Sequence, residues 1–133
     1  MDASIAVAEA ATIDRSPTTL AESDCPIDRA HLARFTFGNE ELELEVLELF
    51  AGQALRTLAD LRAATDTKAW RDAAHALKGS ARAVGAWRIA SLAETAERTL
   101  ANASFAERQH TLADLDEAVD AARAYVVAQA SDA

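Results

Sequence analysis

From about residue 39 onward, apolar residues recur every three or four positions, the spacing that gathers them on one face of an α-helix. Four such stretches follow one another. The first is read from Asn39 to about Ala64, with Asn39 as N-cap and Glu40 and Glu41 suiting the positive end of the helix dipole. Its stripe is Val46, Leu49, Phe50, Leu58 and Leu61, with Gln53 and Thr57 as polar breaks. The second runs from near Asp66 to about Val84, where Trp70, Ala74, Leu77, Ala81 and Val84 make one buried stripe and Gly85 is the stop. The third, about Trp87 to Leu100, carries Ile89, Leu92, Ala96 and Leu100, and Asn102 breaks it. Ser104 and Glu107 form the capping box of a fourth, which continues to about Gln129 with Leu112, Leu115, Val119, Ala122 and Val126 inward. Upstream, Asp24-Cys25-Pro26 opens a short helix through Leu32 and Phe35 that Gly38 ends. Long amphipathic helices with short connections predict an all-α fold: an antiparallel four-helix bundle with a short additional N-terminal helix over one end.

The bundle domain is placed at residues 26–130. Residues 1–25, rich in Ala, Ser and Thr and punctuated by Pro17 and Pro26, read as a flexible N-terminal arm in which a brief helix over the Ala-rich start is allowed. On the first long helix, Leu44, Leu47, Ala51 and Leu55 form a second apolar row, which is expected either to touch both neighbouring helices or to stay exposed and dock a partner.

Composition and charge narrow the function. Ala, Leu, Glu and Arg dominate, and Gly and Pro number four and two, as a helical protein requires. A formal net charge of -9 argues against a nucleic-acid partner. No stretch approaches the ~20 apolar residues of a membrane-spanning helix. The start Met1-Asp2-Ala3-Ser4 lacks a basic leader, which argues against a secretory signal. The single Cys25 cannot form an internal disulfide and fits a reducing cytoplasm.

The candidate chemistry lies on the second long helix. Opposite its apolar stripe stand Arg71, His75, Lys78 and Arg82, an outward row of three cations and a histidine. Between Lys68 and Arg88 the chain has five Lys or Arg residues against the single acid Asp72. A positive strip around an exposed imidazole suits a transient anion: neutral imidazole is a nucleophile, with a reference pKa of about 6.5. A phosphoryl group would bring roughly two negative charges for Lys78 and its neighbours to offset. Gly79 costs its helix roughly 1 kcal/mol relative to Ala. It lies one turn beyond His75, where a missing side chain leaves room for a phosphoryl group and an approaching partner.

The run His75-Ala76-Leu77-Lys78-Gly79-Ser80-Ala81-Arg82-Ala83-Val84-Gly85-Ala86 resembles the signature of the histidine phosphotransfer (HPt) family, and Trp70, Ala74, Ile89-Ala90 and Glu94 fit around it. The resemblance implies that His75 is phosphorylated, on Nε2, that Lys78 stabilises the phosphoryl charge and that Gly79 gives access. Arg71, Arg82 and Ser80 are candidate partner contacts; Ser80 lies to the side of the row and can instead bond to its own helix backbone. The implied partners are receiver domains of response regulators or hybrid histidine kinases, which carry the aspartate and the Mg²⁺. The chain itself would be a monomeric cytoplasmic phosphocarrier without a cofactor, a metal site or a kinase activity of its own.

Two other readings use the same residues. A kinase-associated dimerisation domain also carries a helical histidine, but usually with an acidic residue directly after it, where this chain has Ala76. An adaptor bundle would leave the histidine idle. No GxxxxGK phosphate loop and no Ser-His-Asp signature supports a self-sufficient enzyme. Glu107-Arg108-Gln109-His110 has the E-x-x-H spacing of di-iron helices but occurs once, inside a capping box, and His31 has no motif around it.

Overall fold

The structure, a computed structural model, describes residues 25–99 and 103–132. Among these are five helices and no strand: α1 (Arg29–Thr36), α2 (Glu40–Ala63), α3 (Thr67–Val84), α4 (Trp87–Arg98) and α5 (Phe105–Asp132). The four longer helices pack in cyclic order, α2 on α3, α3 on α4, α4 on α5 and α5 back on α2, and α1 covers one end against α2 and α3. This is the expected bundle.

Local chemistry sets the helix ends. Asn39 accepts from the Leu42 N–H at 3.0 Å and Asp66 from the Ala69 N–H at 2.8 Å. Ser104 and Glu107 exchange reciprocal side-chain to backbone bonds, each 3.1 Å, which is the capping box read from the sequence. α3 ends in a Schellman arrangement: the Ala86 N–H reaches back to Ala81 O and the Gly85 N–H to Arg82 O. Gly85 takes φ +82°, and a Cβ there would sit 2.9 Å from Asp28 O, so the turn requires glycine. The close approach joins α1 to the turn, with Asp28 N donating to Gly85 O at 2.9 Å.

Burial confirms α3 and α5 residue by residue. Trp70, Ala74, Leu77, Ala81 and Val84 are all buried, as are Leu112, Leu115, Val119, Ala122 and Val126. The Trp70 indole N–H donates to Ala96 O at 2.6 Å, and the Arg108 guanidinium stacks 5.0 Å from the ring centroid.

The expectations differ from the structure at several points. α1 begins at Arg29, not at Asp24 to Pro26, because Asp28 is the side-chain cap, accepting from the His31 N–H at 3.1 Å. On α2 the buried line is Leu47, Phe50, Ala54, Leu58 and Leu61, while Leu49 is 73% exposed and Gln53 faces solvent. The helix meets α1, α3 and α5, so its buried arc turns toward Leu47 and away from Leu49. The second row is therefore split: Leu47 is core, Leu44 and Ala51 are half-buried, and Leu55 is 40% exposed. α5 continues past Gln129 to Asp132. Leu100 and Asn102, and all of the arm but Cys25, lie outside the described residues.

A polar clamp fixes α1 to the bundle. Arg29 donates to Tyr125 Oη (2.9 Å), Gln129 Oε1 (3.0 Å) and Glu43 Oε1, while Glu43 Oε2 accepts from the Thr36 hydroxyl at 2.9 Å. The Arg29 guanidinium, and then the Thr36 hydroxyl, hold the buried Glu43 carboxyl below its usual range against the opposing effect of burial. Glu43→Gln is expected to cost about 1–2 kcal/mol, below the full worth of a charged hydrogen bond because the Arg29 side chain is partly exposed. Since the folded-state pKa is depressed, the clamp's contribution is complete above the ordinary glutamate range near ~4.3 and is lost as pH falls through the lower folded value. Paired melting curves at pH 7 and pH 3 test this: the gap between parent and variant should narrow at the acidic pH.

Candidate functional site

The motif helix α3 and the returning helix α4 together build the site. Its apolar stripe turns α3 so that the His75 side chain is 68% exposed. Glu97, near the end of α4, reaches across to it, and Glu97 Oε2 lies 2.9 Å from His75 Nδ1. The other oxygen, Oε1, takes Lys78 Nζ at 2.5 Å. One carboxylate thus bridges the imidazole and the lysine one turn along.

The Lys78 contact, followed by that to His75, lowers the Glu97 pKa, so the group is a carboxylate at neutral pH. An ionised carboxylate can only accept a hydrogen bond. The contact therefore requires the proton on Nδ1, which leaves the Nε2 lone pair free on the exposed side of the ring. The arrangement supplies an outward nucleophile in a fixed tautomer, with an ammonium close by.

Gly79 lies on the exposed surface of α3, and a Cβ at this position would meet nothing within 4 Å. No packing within the described residues asks for glycine here. Ser80 Oγ donates to Leu77 O at 3.2 Å, the local backbone bond that its lateral position suggested.

The outward row differs from its expectation. Lys78 is drawn in against Glu97 and only 16% of its side chain is exposed. Arg82 leans toward Glu94 at 3.6 Å, and Glu94 also holds Arg98 at 2.8 Å. Lys68 pairs with Asp72 and Arg88 with Glu117. The strip is thus compensated by acids, chiefly from α4, rather than open. Arg71 is exposed and makes no ion pair among the described residues.

Glu97 escaped the reading of the sequence, which follows one helix at a time. A signal existed: His75 lies ten residues before Gly85 and Glu97 eleven after Ala86, which brings the two to nearly the same level on antiparallel helices. The other histidines have different settings. His31 packs edge-on against Phe35 and Trp87, with ring centroids 5.3 and 4.9 Å away. The His110 side chain is 80% exposed, 3.4 Å from Asp114. Among the described residues no cluster of three or more His, Cys, Asp or Glu side chains could hold a metal ion, and no helix is long and apolar enough to cross a membrane.

Comparison with known proteins gives the family. The family model described as Hpt domain matches residues 45–125, well over half of the chain and including α3 and α4 entire. Comparisons with curated proteins and with solved structures gave no match. Domains of this family are phosphocarrier modules of phosphorelays, not kinases, and they interact with receiver domains and kinases. With a four-helix bundle, a solvent-facing histidine on its motif helix and this match, the chain belongs to the Hpt domain family.

Proposed function

We propose that residues 26–130 form a monomeric cytoplasmic carrier that accepts a phosphoryl group on His75 from a receiver-domain aspartate and passes it to another. The observation that carries this reading is the shared Glu97 carboxylate, which holds Nδ1–H on one side and Lys78 on the other. The Nε2 lone pair attacks phosphorus, the bond from phosphorus to the aspartyl oxygen breaks, and the receiver recovers its carboxylate. Proton and charge then balance locally: Nδ1 keeps its proton, and the imidazolium character of the phosphorylated ring is met by Glu97. The receiver and its Mg²⁺ supply the chemistry at the aspartate. Lys78 turns from Glu97 toward the phosphoryl oxygens, Gly79 leaves the path clear, and Arg71, Arg82 and Ser80 line the approach of the receiver.

The test is to offer the chain to phosphorylated receiver domains of its host and follow the label. Acid-labile, base-stable phosphate on the chain is the expected outcome. Failure to take phosphate from any receiver would leave the adaptor reading, and labelling by ATP alone would favour the kinase-associated one.

Lys78→Ala should slow transfer or shorten the phosphohistidine lifetime by about 10- to 100-fold, the equivalent of a charge-assisted hydrogen bond of about 1.5–3 kcal/mol. Glu97→Gln keeps an acceptor for Nδ1–H and should lose less than Glu97→Ala, which keeps none. Stopped-flow transfer from one receiver to the parent and the three variants measures both orders. Equal rates for parent and Lys78→Ala would remove Lys78 from the reaction.

A further inference from the structure

On the side of the bundle away from His75, α2 and α5 leave an apolar groove. Leu55 (40% exposed) and Val127 (65% exposed) form its walls, Val126 and Ala51 its floor, and Glu48 and Arg123 its charged rims. Gly52 also lines it. A mid-helix glycine weakens α2 relative to alanine, yet a Cβ there would meet only the tip of the flexible Arg56 side chain, at 3.6 Å. The folded bundle gives no reason for this glycine, whereas a backbone lying close over the groove would.

We propose that the groove holds the chain's own segment Ile5–Ile13 as a helix. Twenty-four residues precede Cys25, where the described fold begins. Cys25 enters beside α1, which Arg29 ties to Tyr125 and Gln129 of α5 and to Glu43 of α2, at the Glu48 end of the groove. The eleven residues between Ile13 and Cys25 span up to about 40 Å when extended, ample to reach it. The segment Ile5-Ala6-Val7-Ala8-Glu9-Ala10-Ala11-Thr12-Ile13 has four alanines, the strongest helix former, among nine residues and is too short to be a stable helix alone in water. Its small residues suit a shallow groove floored by Val126 and Ala51 and lined by Gly52. At about 100° per residue, Ile5, Ala8, Thr12 and Ile13 fall in one arc with Glu9 inside it.

Charge fixes the direction. α2 and α5 run antiparallel with Arg62 on Asp116, which sets Leu55 level with Arg123 and Glu48 level with Ala130. A segment leaving Cys25 meets the Glu48 end first, so Arg15 comes to Glu48 and Glu9 to Arg123. With the helix continued two residues past Ile13, Glu9 and Arg15 are about 9 Å apart, and the two levels on α2 are about 10 Å apart. Among the described residues Arg123 has only Asp120 near it, at 3.7 Å.

Paramagnetic NMR on the full chain tests this, with a nitroxide on Ala10→Cys, on the side of the segment away from the groove, in a Cys25→Ser background. The amides of Gly52, Leu55 and Val127 should lose most of their intensity, and those around His75 should not. Arg123→Glu should restore the lost intensity, and adding Glu9→Arg should bring the broadening back. Gly52→Gln, which the bundle itself accommodates, should abolish it without lowering the melting temperature. Broadening that is absent, evenly spread or indifferent to the charge exchange would overturn the proposal. So would broadening seen only between labelled and isotope-labelled copies, which would give the groove to a second molecule. None of these readouts depends on phosphotransfer.

Discussion

Replacing His75 by Gln is expected to abolish phosphate uptake altogether while leaving the bundle folded. The chain has two other histidines, and each is set differently. The buried Nε2 of His31 has no hydrogen-bond partner and its ring is wedged between Phe35 and Trp87, so no receiver can reach it in line. His110 is open to solvent, and among the described residues its one ion pair is with Asp114, an acid that would repel a phosphoryl group. The exposed His75 ring makes few contacts beyond Glu97, and an exposed polar replacement normally changes stability by no more than ~0.5 kcal/mol. Label retained by His75→Gln would assign the phosphate to another residue; a lowered melting temperature would show the ring to be structural.

Gly79→Gln should separate stability from transfer more sharply than any other change on α3. Gln is the better helix former by about 0.5–1 kcal/mol, and nothing in the bundle lies within 4 Å of the new Cβ, so the melting temperature should hold or rise. The added side chain projects beside His75, where the receiver must bring its aspartate into line. Transfer should fall by about 100-fold, roughly the loss that follows when a reacting pair is displaced by an ångström or so. Gly79→Ala, which adds one methyl group, should fall much less. Melting curves and transfer rates on the same samples decide the matter: unfolding of Gly79→Gln would mark a packing glycine, and parental rates in a stable variant would end the access argument.

The sequence revealed some parts of this molecule far better than others. α3 and α5 each have one buried stripe facing one side of the bundle, so periodicity alone identified every buried residue named for them. α2 serves three neighbours, and two lines at helical spacing competed for its core; Leu49 and Leu47 both satisfy the pattern, and only packing against α1, α3 and α5 selects Leu47. The same limit governs the site. His75, Lys78 and Gly79 lie on one helix and could be read together, along with the Gly85 stop. Glu97 belongs to the next helix, and so do the partners that draw Lys78 and Arg82 inward. Periodicity reports which face a residue occupies; it does not report what faces it.

The two tryptophans divide the molecule's fluorescence between two places. Trp70 is fully buried, with its indole N–H on Ala96 O, so its emission belongs to the dry contact of α3 with α4. Trp87 is 46% exposed, donates to Asp28 Oδ2 at 2.9 Å and packs on His31, so it reports whether α1 is seated. Acrylamide should quench the two to different degrees in the native chain. If α1 lifts away while the bundle holds, the redder, more quenchable component should change alone, so a single cuvette can distinguish loosening of the cap from melting of the core.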